Sequence, residues 1–338
     1  MAEKIALTRR AILFLPLALA ACKPGSTVHK LTGSTMGTTY SVVAVDPGTV
    51  VPEADIRAAI NGALAQVNSQ MSNWDPNSEV SRFNAARTTD PISVSAGMSD
   101  VMRAAQNVNA ACLGCFDVTV GPLIDLWGFG AAKGASSMPS AEAVAAARAV
   151  TGQDKLFVSA GALQKSVPES EIYLSAIGKG HGVDLVAKTV ASLGLEDFMV
   201  EIGGDLYTQG RNADGMPWQI GIESPDMLSR QVQKVVGVSG LGMATSGDYR
   251  NYFDQDGQRY SHIIDPATGR PIIHKTASAT VLTENAMLAD AWATGMLTLG
   301  SEKGLAVAEA QDLAVIFVDR ADGDFVIKES PAFRRLSA

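Results

Sequence analysis

Residues 198–209 read FMVEIGGDLYTQ, from Phe198 to Gln209. Two short runs, Phe198–Ile202 and Leu206–Gln209, flank a Gly-Gly-Asp turn, the pattern of short strands broken by tight turns. The rhythm continues C-terminally through Trp218–Ile222, Lys234–Val238 and Met243–Ser246, with Gly, Asn, Asp and Pro between the runs. N-terminally, Thr39–Val45 is rich in β-branched residues and predicts another strand. Between these lie helical periods. Ile56, Ile60, Leu64 and Val67 predict a helix over Pro52–Met71; further helices are expected over Ser99–Cys112, Ser140–Val150 and Lys179–Leu193. Strands and helices alternate without a regular strand-helix-strand period, so the fold class expected is α+β rather than a doubly wound parallel sheet.

The first 21 residues read as a leader. Lys4, Arg9 and Arg10 precede the apolar run AILFLPLALAA, and Leu19-Ala-Ala-Cys22 closes it. The run is too short for a permanent membrane span and resembles a bacterial lipoprotein signal, with Cys22 as the acylated residue. The paired arginines resemble a twin-arginine export signal. Residues 22–31 are then expected to be anchor and tether, and 32–338 the folded domain, held by lipid on the periplasmic side of the inner membrane. Removing the leader discards three bases and one acid, Glu3, taking the formal charge from −8 to −10. No basic stripe is present to follow a phosphate backbone, which argues against nucleic acid. A small anion remains possible, because backbone amides, a helix N-terminus or a metal can hold one without net positive charge.

Familiar fingerprints are missing. Gly178-Lys-Gly-His-Gly182 lacks the Gly-Lys-Ser/Thr of a Walker loop, and there is no GxGxxG, HExxH or Gly-x-Ser-x-Gly. Cys112-Leu-Gly-Cys115 is a lone CxxC. It is compatible with a local disulfide, with two buried thiols or with redox chemistry.

The stretch Asn285–Leu299, NAMLADAWATGMLTL, reads as a helix that is apolar on nearly every face, interrupted by Asp290. Thr294 follows by four residues, so a carboxylate and a hydroxyl share one face. Two readings stand: satisfied polar groups in a core, or two hard oxygen ligands aimed at one spot.

Four other segments are unusual for scaffolding: Gly33–Tyr40 (GSTMGTTY), Met71–Asn84 (MSNWDPNSEVSRFN), Phe116–Leu123 (FDVTVGPL, read as a short strand with Asp117 and Thr119 on one side) and Tyr260–Gly269 (YSHIIDPATG). Each also has a plain reading as turn or edge-strand chemistry. Together with LADAWATG, and in this order from about Thr32 to about Gly300, they resemble the ApbE family, the FAD:protein FMN transferases. The resemblance implies a mixed, mainly antiparallel sheet with flanking helices and an FAD cleft between two subdomains.

Carried over residue by residue, it implies that Met36, Trp74, Asp117, Lys179 and Ile264 line the flavin or adenosine pockets. It also implies that Mg²⁺ is held by Asp290, Thr294 and the backbone carbonyl of Ala176. Trp74 stands where relatives often carry tyrosine, and Tyr173 where they commonly carry aspartate. The implied reaction is Mg²⁺-dependent transfer of FMN from FAD to a threonine hydroxyl of an acceptor flavoprotein in a membrane electron-transfer complex, releasing AMP. His262 is the side chain in these motifs suited to act as general base, with Asp265 as its orienter. The alternatives are an FAD pyrophosphatase using the same metal site and a non-catalytic FAD-binding lipoprotein.

Overall fold

The computed structural model describes residues 26–48, 51–130, 138–225, 232–249, 251–322 and 324–336. The leader and Cys22 lie outside these residues. Eight strands form the main sheet: β1 (Thr27–Thr35), β2 (Thr38–Asp46), β3 (Asp197–Ile202), β4 (Asp205–Gln209), β5 (Leu241–Gly247), β6 (Thr276–Thr283), β7 (Ala314–Ala321) and β8 (Asp324–Glu329). Each strand pairs antiparallel with the one before it, so the sheet is a meander in chain order. Everything else is inserted between successive strands. The sheet begins at Thr27, five residues before the expected domain start at 32: the polar residues of β1 disguise a strand whose Leu31 is fully buried.

The long insertion between β2 and β3 carries helices α1 (Glu53–Met71), α2 (Ala96–Ala111) and α3 (Gly178–Ser192). The expected helices are present, with no end shifted by more than three residues. Ser95 and Ser140 act as N-caps, accepting from Met98 N and Ala143 N, where a run of propensity alone does not mark the boundary. The apolar stripe of α1 packs with α3 against β1–β3. The opposite face of the sheet is covered by the hairpin Trp218–Glu223/Val232–Val238 and the short helix Pro331–Leu336. A sheet covered on both faces explains why every residue of β6 is buried.

Helix α4 (Ala286–Ala310) follows β6 and is the apolar helix foreseen from its sequence. A straight 25-residue helix would span about 37 Å. Yet Leu282 of β6 pairs with Ala314 of β7, so both ends of α4 sit at the same end of the sheet. The chain reverses at Gly300, whose φ of 72° and ψ of 168° are open to glycine and strained for other residues. The first half of α4 is therefore a buried rod between the sheet and α2, with Cys112 and Cys115, joined in a disulfide, beneath it. A Cβ on Gly295 would lie 2.9 Å from Cys115 Sγ, so the helix rests directly on the sulfurs.

Candidate active site

Helix α3 opens with Gly178-Lys-Gly-His-Gly182 and runs against the first turn of α4. A Cβ on Gly180 would stand 2.2 Å from the Ala286 carbonyl oxygen, so a side chain there would drive the backbones apart. Asp184 locks the junction by accepting from Ala286 N at 2.7 Å and Met287 N at 2.9 Å, while Asn285 caps Leu288 N. Burial pushes Asp184 up to about 6, and the two N–H bonds offset only part of that.

The close approach places Asp290 against α3. Gly180 N–H donates to Asp290 Oδ2 at 3.1 Å, and Lys179 Nζ lies 3.2 Å from Oδ1. Lys179 also makes a short ion pair with Asp205. The Gly203-Gly204 turn, with φ of 59° and 102°, delivers Asp205 at the start of β4. Glu201 Oε1 braces this turn by accepting Gly204 N–H at 2.6 Å.

Asp205 and Asp290 are 2% and 3% exposed, so one ammonium serves two desolvated carboxylates. Burial opposes the Lys179 charge, but Asp205 and Asp290 outweigh it and hold the ammonium above its usual range. Burial, and then the like charge on Asp290, push Asp205 above the usual carboxylate range.

Lys179 lies on the floor of a solvent-open cleft with about 660 Å³ of empty space, lined also by Met36, Asn68, Asn73, Trp74 and Ser175. Met36 sits at the tip of the β1–β2 hairpin with φ of 49°, which side-chain-bearing residues rarely adopt, and its thioether presses on Gly182. Trp74 is 61% exposed, its ring 5.9 Å from that of Tyr173; together they make an aromatic wall. Three of the five expected flavin-lining residues, Met36, Trp74 and Lys179, therefore meet at one cleft.

Asp117 and Ile264 do not line it. FDVTVGPL is not a strand but a loop entering the helix Gly121–Leu126. Asp117 closes that loop, accepting from Thr119 N at 2.7 Å, Thr119 Oγ1 at 2.6 Å and Gln153 N at 3.0 Å. Ile264 packs with Leu123, Trp127 and Val144 in a separate apolar cluster.

Thr294, one turn beyond Asp290, has Oγ1 at 3.0 Å from Ser246 Oγ of β5. Ala176 lies in the turn between cleft residues Ser175 and Gly178, where Gly178 N donates to Leu174 O at 2.7 Å. Among the described residues no group of three or more His, Cys, Asp or Glu side chains forms a metal cluster. A cation here would depend on one carboxylate with hydroxyl and carbonyl oxygens. That donor set fits magnesium, which takes hard oxygens and keeps part of its water.

His262 follows the hairpin Tyr252–Gln255/Gln258–Ser261. Its Nδ1 is 3.1 Å from the Asn251 carbonyl oxygen, which can only accept, so Nδ1 carries the proton and Nε2 is the free base. Burial lowers its pKa, with the Asn251 bond and Asp248 opposing. Asp265 does not orient the ring. Its oxygens accept from Ala267 N at 2.9 Å and Thr268 Oγ1 at 3.0 Å, closing the turn it opens. Aromatic rings stack in series beside His262, Trp127 on Tyr260, Tyr260 on Phe253 and Phe253 on Phe129, whose edge meets the imidazole at 6.4 Å.

Asp184, Asp205, Ser246 and Asn251 were not singled out by their sequence context. The Gly-Gly-Asp turn was the one available signal for Asp205; the other three depend on contacts across the fold.

Sheet and cleft define an α+β protein whose cleft brings together an aromatic wall, a helix N-terminus and a lysine paired with two buried carboxylates. The chain belongs to the ApbE family, whose model matches residues 36–317. It is 44% identical over 319 residues to an FAD:protein FMN transferase of Vibrio cholerae, covering 94% of this chain and 95% of the relative. An Escherichia coli K12 protein of the same description is 36% identical over 345 residues, covering 98% and 97%. The solved flavin transferase ApbE from Vibrio cholerae superimposes with a TM-score of 0.86 at 42% identity, covering 92% of this chain and 99% of that one. The apo Pseudomonas stutzeri flavinyl transferase ApbE gives 0.86 at 39% identity, covering 92% and 97%.

Proposed function

We propose that this protein is an FAD:protein FMN transferase that uses Mg²⁺ and attaches FMN to a threonine hydroxyl of an acceptor protein, releasing AMP. The activity rests on the near full-length likeness to proteins of that description. The observation that carries the metal-dependent chemistry is Asp290: a buried carboxylate in the otherwise uncharged first half of α4, presented beside the cleft floor.

In this reading Met36 and the Trp74–Tyr173 wall hold the flavin end of FAD, and Lys179 with the α3 N-terminus attracts the pyrophosphate. Asp290, Thr294 and the Ala176 carbonyl would hold Mg²⁺. The ion, when bound, supplies charge neutralisation at the pyrophosphate. His262 Nε2 takes the proton from the acceptor hydroxyl as oxygen attacks the phosphorus on the FMN side and AMP leaves. Its lowered pKa keeps the base free near neutral pH.

The acceptor is a threonine-bearing segment of an exported or membrane flavoprotein. The chain works on a lipid tether at Cys22, on the periplasmic side of the inner membrane. The Cys112–Cys115 disulfide supports an oxidising compartment.

The test is mass spectrometry of a threonine-containing acceptor segment after incubation with the enzyme, FAD and Mg²⁺. A gain of one FMN, lost without metal and in Asp290→Ala, is expected. Free FMN and AMP without an adduct would replace transfer by pyrophosphate hydrolysis, and unchanged FAD would leave a binding protein.

A further inference from the structure

We infer that Asp205 is a positioning residue that holds the Lys179 ammonium aside, so that Asp290 is left to a divalent cation. The inference rests on the metal part of the proposed function and adds a residue to it. Lys179 reaches two carboxylates, and its pair with Asp205 is the shorter. Asp205 is almost fully buried and does not line the cleft; it faces the Lys179 ammonium and the Asp290 carboxylate from below. Its place is built: the Gly203-Gly204 turn presents it, and Glu201 fixes that turn. Asp290 is held differently, by the Gly180 N–H on Oδ2, and turns Oδ1 toward the ammonium. Ammonium and metal would compete for that oxygen. Without Asp205, Lys179 has only Asp290 to pair with and closes the metal position.

The experiment is Mn²⁺ titration of the full chain without FAD, read by electron paramagnetic resonance of the free ion, with circular dichroism reporting folding. Asp205→Asn is expected to weaken Mn²⁺ binding by about tenfold or more, because a desolvated competitor now pairs with the ligand. Adding Lys179→Met to Asp205→Asn restores affinity to within about threefold of wild type, a rescue that a purely structural role for Asp205 would not produce. Lys179→Met alone binds Mn²⁺ at least as tightly as wild type.

Unchanged affinity in Asp205→Asn overturns the inference while leaving the metal reading intact. A double variant as weak as Asp205→Asn also overturns it, making Asp205 a direct ligand or a structural brace. Should Asp205→Asn fail to fold, weakened binding in Lys179→Met decides against it. A wild-type chain that takes up no Mn²⁺ overturns both readings.

Discussion

At the α3–α4 end of the site, Lys179, Asp184, Asp205 and Asp290 come from three separate elements and lock one another through buried charge and backbone N–H groups. At the other end, His262 hangs on one backbone carbonyl beside a stack of aromatic rings. The first end suits binding, since buried charges that are paired and hydrogen-bonded have little freedom to move. The second suits proton transfer, which needs a neutral ring with one nitrogen free. β5 and the residue that follows it join the two: Ser246 touches Thr294, and Asp248 acts electrostatically on His262.

Breaking the locked end should do most. Asp290→Ala is expected to lower flavin transfer on the order of 10³-fold or more and to abolish divalent-cation binding, because metal-assisted charge stabilisation is worth several kcal/mol. Near-normal transfer with metal still bound would put the cation elsewhere.

His262→Ala should cost on the order of 10²-fold in transfer and leave the FAD dissociation constant nearly unchanged, as expected for a general base outside the cleft lining. Parallel losses of transfer and FAD affinity would make His262 a binding residue instead. Its lowered pKa also predicts a pH profile. Neutral imidazole is the active form and persists below the ordinary value near 6.5, so the acidic limb of transfer should fall below pH 6.5. The same shift means the unfolded chain binds this proton more readily, so the stability contributed by His262 diminishes as pH falls through 6.5. A limb at or above 6.5 would assign the proton to another group.

Gly180→Ala tests the rigidity of the first end. The added methyl meets the Ala286 backbone, and overpacking of this kind costs about 1–3 kcal/mol, a melting temperature several degrees lower. An unchanged melting temperature would mean that α3 and α4 can part without penalty. Asp265→Asn should be the mildest change, less than about threefold in transfer, since the turn it closes does not touch the imidazole. A loss comparable with His262→Ala would restore it as the orienter.

Much of this was legible in the chain. The α+β class, the course of α1, α3 and α4, and the strangeness of Asp290 followed from periodicity and from a charge where none is ordinarily tolerated. Met36, Trp74 and Lys179 were reached through short motifs that hold their character in one dimension. Asp117 and Asp265 each accept hydrogen bonds from their own loop, and an aspartate near Thr or Pro in a short motif has the same local pattern whether it faces a ligand or closes its own turn. The tether expectation failed at Thr27 because an edge strand with few apolar residues resembles a linker.

What the sequence determined by itself was local: spacing sets which side chains share a helix face or a strand side, and Gly300 permits a reversal that few other residues could adopt. What only the tertiary structure decided was pairing. Asp205 and Asp290 are separated by the β5–β6 region and meet only because α4 folds back over the sheet. Asn251 replaces Asp265 behind His262 because a backbone carbonyl leaves no mark in the sequence of side chains. Burial and charge compensation depend on which elements are neighbours in space, and the Lys179 ammonium between two carboxylates exists only once they are.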